Sequence, residues 1–350
     1  MVSGNADRPT RVGLLGYGRI VERVHLNALA RVRTADIVAV AEADEARRAA
    51  AAARLPDART FTDYRTLLEE ADVDAVLVAL PPALHADAAS RALDAGRHVY
   101  VEKPLATTLH DARDVVHRWS GSERVGVMGF NYRYDDTYIR LGALLRDGEY
   151  GRVLAVRSVF SSAARSLPDW KKGIETGGGA LLDLASHHAD LIPWLLGRRV
   201  ESVSARVTSQ RSEADTALVN WELVGGVPVQ SMCSLSTGDA DRVEVYLEGG
   251  VVVADRYRGL LDARGPEHRY GRGARLRAEG EKAFRAFRSA AGRPGEPSFA
   301  RCLAAFVSAS RGGRDAPPDL SDGLRSLAVV EAARRSAEAG GDPHRPEETR

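Results

Sequence analysis

A histidine and an aspartate near the middle of the chain have the residue types and the spacing of an acid/base pair. In the stretch "GGGALLDLASHHADL", Asp183 and His187 are four residues apart, so on a helix they lie on one face, one turn apart. An imidazole titrates close to neutral pH and can therefore accept or return a proton during a reaction. The neighbouring leucines predict burial of the pair, whereas His188 points about 100° away and is the poorer candidate.

Two later residues of the same helix leave alternatives open. Asp190, three residues after His187, either holds the second imidazole nitrogen or lies at the surface. Pro193 has no backbone N–H to donate, so we expect the helix to kink or end near Ala189.

A second group of reactive side chains follows an apolar run. "VYVEKPLATTL" ends a predicted buried strand on Glu102, Lys103 and Pro104, and "AVLVALPPALH" places Pro82 and His85 after the preceding strand. In a parallel sheet covered by helices, ligands bind beyond the carboxyl ends of the strands. An ammonium at that edge can stabilise an alkoxide that develops as an alcohol loses its proton. The two strand ends therefore predict one shared site.

Glycines at the first strand–helix turn predict a dinucleotide site. In "RVGLLGYGRIVERVH", Gly16 and Gly18 permit a tight turn and a close approach of the backbone to a pyrophosphate. The third position of the GxGxxG fingerprint is Val21, which departs from the pattern. The turn nevertheless opens the first βαβ unit, as the fingerprint requires.

An acidic residue at the end of the second strand indicates which dinucleotide binds. Glu42 follows "VAVA", 24 residues after Gly18, where a carboxylate can accept hydrogen bonds from both adenosine ribose hydroxyls. Its charge repels a 2′-phosphate, so we predict NAD, with NADP the less favoured cofactor. We expect Asp44 to be a helix N-cap, and Arg47 and Arg48 to face solvent at the start of that helix.

The pattern of apolar runs divides the chain into two domains. Before Gly129, short runs without polar alternation are separated by helical stretches, which predicts an α/β domain with a doubly wound parallel sheet. After it, longer strands and two Gly-Gly turns, at Gly225 and at Gly249, predict an α+β domain on a large, mostly antiparallel open sheet. We predict a late helix from "LSDGLRSLAVVEAARRSAEA".

Composition excludes several classes of protein. The chain has 350 residues, 44% hydrophobic and 28% charged, with 49 Lys and Arg against 48 Asp and Glu, so its charge balance favours neither nucleic acid nor a membrane surface as a partner. No apolar run is long enough to cross a membrane, and the first residues have no signal-peptide pattern. The isolated Cys233 and Cys302 fit a reducing cytoplasm and predict no metal site.

Several motifs together resemble the Gfo/Idh/MocA family of oxidoreductases. They are "GYGRI…H", "ALPPALHADAASRALDAGRHVYVEKPLATTL", "GFNYRYD" and "GGGALLDLASHHADLIPWLLG", which cover residues 11–200. The resemblance implies a Rossmann domain and an NAD(P)-dependent transfer of hydride between the nicotinamide and a sugar, sugar derivative or cyclitol. It also implies a homodimer or homotetramer that pairs through the C-terminal sheet.

The resemblance also implies roles for individual residues. Lys103 would reach both the nicotinamide ribose and the substrate hydroxyl, and Asp183 and His187 would be the catalytic pair. Asp183 would orient His187 and stabilise its charge, or bind a neighbouring hydroxyl. The remaining predicted cofactor residues are Gly16, Gly18, Arg19, Ile20, Glu42, Pro82, His85 and Glu102, and the substrate-binding candidates are Tyr132, Arg133, Trp170 and Lys171.

Two other functions remain open from the sequence. One is a nucleotide-sugar ketoreductase of secondary metabolism, and the other is a non-catalytic dinucleotide-binding regulator, against which the presence of Lys103, Asp183 and His187 argues. We expect a flexible tail at 1–10, the dinucleotide-binding domain at 11–129 and a substrate-binding and oligomerisation domain at 130–315. A C-terminal helix at 316–340 is expected to pack on the first domain, and a flexible tail follows at 341–350.

Overall fold

Six parallel strands form a sheet in the first part of the chain, where short apolar runs predicted a parallel sheet. The structure, a computed structural model, describes residues 8–162, 173–174, 178–265, 297–312 and 317–349. The six strands are β1 (Thr10–Leu15), β2 (Ala35–Ala41), β3 (Arg59–Phe61), β4 (Ala75–Val78), β5 (His98–Val101) and β6 (Gly126–Met128). Their order is β3-β2-β1-β4-β5-β6, so the predicted doubly wound sheet is confirmed.

Helices connect these strands and cover both faces of the sheet. They are α1 (Leu26–Leu29), preceded by a π-type turn at Val21–His25, then α2 (Glu45–Arg54), α3 (Tyr64–Glu70), α4 (His85–Asp94) and α5 (Leu109–Ser120). All four residues of β4 are buried, as expected of a strand covered on both sides. The strand order reverses between β1 and β4, which opens the crevice where such folds bind ligands.

Seven strands form the sheet of the second domain. They are β7 (Val153–Ser161), β8 (Val200–Thr208), β9 (Thr216–Leu223), β10 (Val227–Ser234), β11 (Ala240–Leu247), β12 (Gly250–Asp255) and β13 (Leu260–Arg264). The order is β13-β12-β11-β7-β10-β9-β8, and β7 with β10 is the one parallel pair between these strands, so the predicted mostly antiparallel sheet is confirmed. Burial alternates along β9, which leaves one face of the sheet exposed.

Four further helices complete the described part of the fold. They are α6 (Asp136–Asp147), α7 (Ser186–Leu196), which follows a π-type turn at Leu181–Ala185, α8 (Pro297–Gly312) and α9 (Leu320–Glu338). Helix α8 buries Cys302 and Phe306 in the core of the first domain, although it lies within the range expected for the second. Helix α9 contributes to the cores of both domains. None of the helices that the structure describes is long and apolar enough to span a bilayer.

The last residues contact the body of the protein. His344 pairs with Val203 of β8 through two backbone hydrogen bonds of 2.8 Å, and Glu347 forms an ion pair with Arg113 of α5. Within the segment expected to be a flexible tail, 341–350, the described residues His344 and Glu347 therefore contact the second and the first domain.

Helix α7 departs from the sequence prediction at its proline. Pro193 lies inside the helix, which continues to Leu196 and ends at Gly197 in the left-handed conformation. The helix therefore does not end near Ala189, and that part of the expectation for Pro193 is wrong. Leu191, Ile192 and Leu195 are buried, and this packing outweighs the one backbone hydrogen bond that proline removes.

Candidate active site

The glycine turn after β1 has the geometry that a dinucleotide needs. Gly16 has φ +97°, and a Cβ there would lie 2.7 Å from the Ala79 carbonyl oxygen, so only glycine fits. A Cβ on Gly18 would meet nothing within 4 Å, which leaves open space above the backbone. Arg19 and Ile20 are exposed at the start of the following helix. The turn thus fits a pyrophosphate at a helix N-terminus.

The departure at Val21 coincides with an unusual helical turn. Val21 is fully buried and begins the π-type turn Val21–His25. A π-type turn contains one more residue than an α-turn, so the helix is wider at the position where the fingerprint has its third small residue.

Glu42 is held in place directly beside the glycine turn. Its carboxylate accepts hydrogen bonds from the backbone N–H of Tyr17 at 2.8 Å, that of Asp44 at 2.9 Å and the Arg47 guanidinium at 2.9 Å. Burial raises the pKa of Glu42, but these hydrogen bonds outweigh it and hold the pKa below its ordinary value. An ionised carboxylate offers about four acceptor positions, so one remains for a ribose hydroxyl.

Asp44 occupies the predicted N-cap position, whereas the contacts of Arg47 and Arg48 differ from the predicted orientation toward solvent. Asp44 is the N-cap of α2. Arg47 pairs with Glu42, and Arg48 donates to the Glu42 backbone carbonyl at 3.0 Å, so neither simply faces solvent. The sequence did not reveal these contacts because an arginine in a first helical turn can reach either solvent or the preceding strand.

His85 contacts the backbone at the ends of β4 and β5. It is buried, and its Nδ1 and Nε2 lie 2.6 Å from the Pro104 carbonyl and 2.8 Å from the Leu80 carbonyl. A neutral imidazole donates to one of these and has no ring nitrogen left for a cofactor, so His85 joins the ends of β4 and β5. Pro82 is also buried and begins the short helical turn Pro82–Leu84.

Glu102 faces the first helix. Its carboxylate Oε1 lies 2.8 Å from Nε2 of the fully buried His25, in the π-type turn after the glycines. A Cβ on Gly129 would lie 3.0 Å from this carboxylate, so Gly129 gives it room. Glu102 thus links the end of β5 to the dinucleotide turn, beside the predicted catalytic lysine.

Lys103 and Asp183 meet across the two domains. The Lys103 ammonium donates to the Asp183 backbone oxygen at 2.7 Å and to its carboxylate Oδ1 at 2.8 Å. Their side chains are 16% and 15% exposed, so the contact lies at the wall of the crevice. Two of the three ammonium hydrogens are engaged, and the third remains for a substrate oxygen. The two segments predicted from separate motifs therefore form one site.

His187 lies next to this pair in an aromatic environment. Its imidazole stacks on Tyr132, with ring centroids 4.4 Å apart at 21°, and meets Phe160 edge-on at 5.6 Å. Its Nδ1 is buried and has no hydrogen-bond partner in the described part of the chain. Burial and the Lys103 ammonium lower the pKa of His187 well below its usual value, against the opposing charge of Asp183. His187 is therefore neutral at pH 7.

The substrate-binding candidates divide three ways. Tyr132 is buried against His187, and its hydroxyl is 3.1 Å from the Arg256 guanidinium. Arg133 pairs with Asp190 and with Asp322 of α9. Asp190 is buried and bound to Arg133, so it neither lies at the surface nor holds Nδ1 of His187. Trp170 and Lys171 lie outside the described residues.

A buried polar cluster behind the site was not predicted from the sequence. Asp241 of β11 is buried and contacts Tyr138, Arg256 and His188. His188 also reaches the Ser158 hydroxyl at 3.0 Å, so it faces away from the crevice as predicted. The sequence does not indicate which face of β11 Asp241 occupies, or where the side chain of Arg256 in the turn after β12 lies.

These residues can support proton transfer beside a dinucleotide. A bound nicotinamide would supply the hydride chemistry. A neutral His187 can accept the proton of an alcohol and return it to a ketone. Lys103 can hold the reacting oxygen and stabilise negative charge on it. Asp183 holds the ammonium in place, and no group of three metal-ligating side chains occurs among the described residues.

Comparison with known proteins agrees with this architecture. Residues 10–130 match the model of an oxidoreductase family with an NAD-binding Rossmann fold, and residues 138–253 match the GFO/IDH/MocA C-terminal domain. Inositol 2-dehydrogenase 2 of Saccharopolyspora erythraea is 30% identical over 347 residues, which cover 94% of this chain and 93% of that protein.

One further relative is named for a nucleotide sugar, and one similar structure was solved with a nucleotide sugar bound. dTDP-3,4-didehydro-2,6-dideoxy-alpha-D-glucose 3-reductase of Saccharopolyspora spinosa is 34% identical over 182 residues, 52% of this chain and 54% of that protein. The WlbA dehydrogenase of Bordetella pertussis, solved with NADH and UDP-GlcNAcA, superposes with a TM-score of 0.84 at 24% identity, over 98% of this chain and 99% of that one. With its two family domains and the full-length relative, this chain belongs to the Gfo/Idh/MocA family and is an NAD(P)-dependent oxidoreductase.

Proposed function

We propose that the protein is an NAD-dependent dehydrogenase that oxidises a secondary alcohol of a sugar, sugar derivative or cyclitol, or reduces the matching ketone. The observation that carries this proposal is the contact between Lys103 and Asp183 beside a neutral His187. In this proposal His187 moves the proton, Lys103 stabilises the alkoxide, and Asp183 orients the ammonium. The inositol 2-dehydrogenase that resembles the chain over nearly its full length supports the substrate class.

A nucleotide-linked sugar is the second candidate substrate. The similarity to the dTDP-sugar reductase covers about half of the chain and favours this candidate less than the full-length relative favours a free polyol. The chemistry at the reacting carbon would be the same, because the two substrates differ only in the group attached away from it.

Turnover on a substrate panel tests the proposal. The purified protein is supplied with NAD⁺ and, in separate reactions, with myo-inositol, free aldoses and a nucleoside-diphosphate sugar, and NADH is followed by absorbance. Turnover of a free polyol or sugar supports the first candidate, and turnover of the nucleotide-linked sugar alone supports the second. Tight NADH binding without turnover of any of them, or of the matching ketones with NADH, supports the non-catalytic regulator.

The choice of dinucleotide depends on Glu42 in this proposal. NADH should bind more tightly than NADPH, because the ionised carboxylate repels a 2′-phosphate. Glu42→Ser should reduce this preference by roughly tenfold or more, since it removes the charge and releases Arg47 toward the phosphate. Titration by fluorescence quenching measures both affinities, with the exposed Glu70→Ser as the matched control. A parent protein that prefers NADPH would disprove the role given to Glu42.

We also propose that the chain pairs with itself through the exposed face of the second sheet. Val159, Leu218 and Met232 lie together on that face among charged side chains, and Leu218 is 52% exposed. Leu218→Asp should shift the mass measured by light scattering toward the monomer, because it places a charge in an apolar contact. Val224→Asp, in the turn beside the sheet, is the control. A parent protein of monomer mass contradicts this assembly.

A cytoplasmic location is the remaining part of the proposal. Cys233 and Cys302 are both buried as free thiols, and burial raises the pKa of each to about 12. Thiols of this kind persist in a reducing compartment. Localisation of a tagged full chain by fractionation checks the assignment.

A further inference from the structure

Three flat groups are in contact at the catalytic histidine. The Tyr132 ring stacks on the His187 imidazole, and the Arg256 guanidinium lies over the same tyrosine ring at 4.3 Å from its centroid. Arg256 also donates to the Tyr132 hydroxyl at 3.1 Å. The three side chains come from helix α7, the turn after β6 and the end of β12, and we refer to them as the histidine stack.

The far end of the stack is anchored in the protein core. Asp241 accepts a hydrogen bond from Nε of Arg256 at 2.6 Å, and the Asp241 backbone oxygen accepts from the Arg256 backbone N–H at 2.9 Å. Tyr138 donates to the same carboxylate. Burial raises the pKa of Asp241, but hydrogen bonding to His188 and the charge of Arg256 lower it below its usual value. The anchor is therefore an ionised pair.

A buried ion pair of this kind is a poor way to gain stability. Removing two charges from water costs several kcal/mol for each ion, and apolar residues of the same volume are often at least as stabilising. Arg256 contacts the Tyr132 ring, which in turn contacts His187. The Arg256–Asp241 ion pair can therefore serve to position His187 as well as to pack the core.

The imidazole lacks the usual means of orientation. Its buried Nδ1 has no hydrogen-bond partner in the described part of the chain, whereas a catalytic histidine is ordinarily oriented by a carboxylate or carbonyl at that atom. Asp190, a candidate for that place, pairs with Arg133 instead. In the part of the chain that the structure describes, the rings of Tyr132 and Phe160 contact the imidazole and restrict its plane.

A second ion pair keeps the two stacked rings in register. Arg133 follows Tyr132 directly, and Asp190 lies one helical turn after His187, so their ion pair joins the same two elements as the ring contact does. Asp322 of α9 binds the other side of Arg133. The turn and the helix are thus tied at two adjacent points.

We propose that Arg256 and Tyr132 are positioning residues for His187, that their stacked groups hold its imidazole in the plane required for proton transfer, and that the Arg256 cation also favours its neutral form. This inference rests on the role proposed above for His187. The charged groups that face the imidazole come from four elements: Lys103 after β5, Asp183 in the π-type turn, Arg256 after β12 and Asp241 in β11. The two cations lower the proton affinity of His187 and the two carboxylates raise it.

The test compares four variants with the parent protein. Arg256→Met should move the acid limb of kcat/KM to higher pH by about half a unit to one unit, because it removes a cation and leaves the Asp241 charge. Tyr132→Leu removes the ring and should lower kcat about tenfold or more, with KM for NAD⁺ unchanged, since a misplaced base affects the reacting step alone. Tyr132→Phe keeps the ring and should restore kcat to within about threefold of the parent.

The fourth variant is a control, and a second readout separates the possible failures. Arg152→Met removes an exposed arginine paired with Glu248 and should change neither quantity. NMR titration of ¹³C-labelled histidine reports the ionisation of His187 directly, with its signal identified by loss in His187→Asn. Should the parent turn over no substrate, the proposed function fails, while the NMR shift in Arg256→Met still decides the role of the stack.

Two results would overturn the inference. One is a folded Tyr132→Leu with the parental kcat, and the other is a folded Arg256→Met with the parental His187 titration. Where Arg256→Met does not fold, Arg256→Lys keeps a cation beside Asp241 but loses the planar contact. Arg256→Lys should then lower kcat and leave the acid limb of kcat/KM nearly unchanged. An Arg256→Lys protein with the parental kcat would also contradict the proposal.

Discussion

His187→Ala is expected to lower kcat for alcohol oxidation by about 10²–10⁴-fold, the usual contribution of a general base. The affinity for NAD⁺ should remain within about twofold, because the imidazole is proposed to act on the substrate proton and not on the dinucleotide. Stopped-flow rates and fluorescence titration measure the two quantities. His110→Ala, at an exposed histidine on α5, is the matched control and should leave both unchanged.

The same experiment extends to Lys103, whose loss should be equally damaging. Lys103→Ala should lower kcat and also weaken cofactor binding, since the residue is proposed to reach the nicotinamide ribose as well as the alkoxide. The double variant should be far less than additive, because both side chains act on one proton-transfer unit. An His187→Ala protein that oxidises substrate at the parental rate would remove His187 from the mechanism and make Lys103 the acid/base candidate.

The fold of this protein could be predicted almost entirely from its sequence. A strand such as "AVLV" in β4 is apolar at every position, which occurs when helices cover both faces of a parallel sheet. The turn at Gly225 and Gly226 has both residues at positive φ, and this conformation made the glycine pair a hairpin signal. These signals are local, so they can be recognised without knowledge of the tertiary structure.

Part of the candidate site could be predicted for a different reason. Lys103 and Asp183 are 80 residues apart, and nothing local says that they touch. The sequence assigned Lys103 to the site because the strand ends of a doubly wound sheet converge on one edge, and its role there stays a prediction. Asp183 was selected by its spacing from His187. In the structure it lies in the π-type turn at Leu181–Ala185 and accepts hydrogen bonds from Lys103.

What the sequence missed depends on long-range packing. Arg256 and Asp241 are buried in the second domain, where charged residues are rare. Asp241 lies in β11, whose alternation is compatible with either face, and Arg256 lies in the turn after β12. His85 follows a strand end as a ligand would, yet two backbone carbonyls occupy its nitrogens. A side chain's partner is decided by the elements packed around it, and these are not visible in one segment.

The two opposite charges next to His187, on Lys103 and Asp183, lead to the second large prediction. Lys103→Met should move the acid limb of kcat/KM to higher pH, because the lysine cation lowers the pKa of His187 and the remaining Asp183 carboxylate raises it. Asp183→Asn should move the limb in the opposite direction, since it keeps an oxygen for Lys103 but removes the negative charge. In the parent, the limb should lie below pH 6.5, because burial and Lys103 lower the pKa of His187.

The opposite signs are what make this pair of variants decisive. A general loss of structure would move both acid limbs the same way, toward the ordinary pKa of an exposed histidine. Profiles of kcat/KM between about pH 4.5 and 9, repeated with substrate deuterated at the reacting carbon, show whether hydride transfer limits the rate where the limb is read. Asp262→Asn, at a carboxylate on the edge strand β13 paired with Arg264, is the matched control and should leave the limb in place. Limbs that coincide in Lys103→Met and Asp183→Asn would mean that the titrating group is not His187, because the two charges act on the pKa of that imidazole with opposite signs.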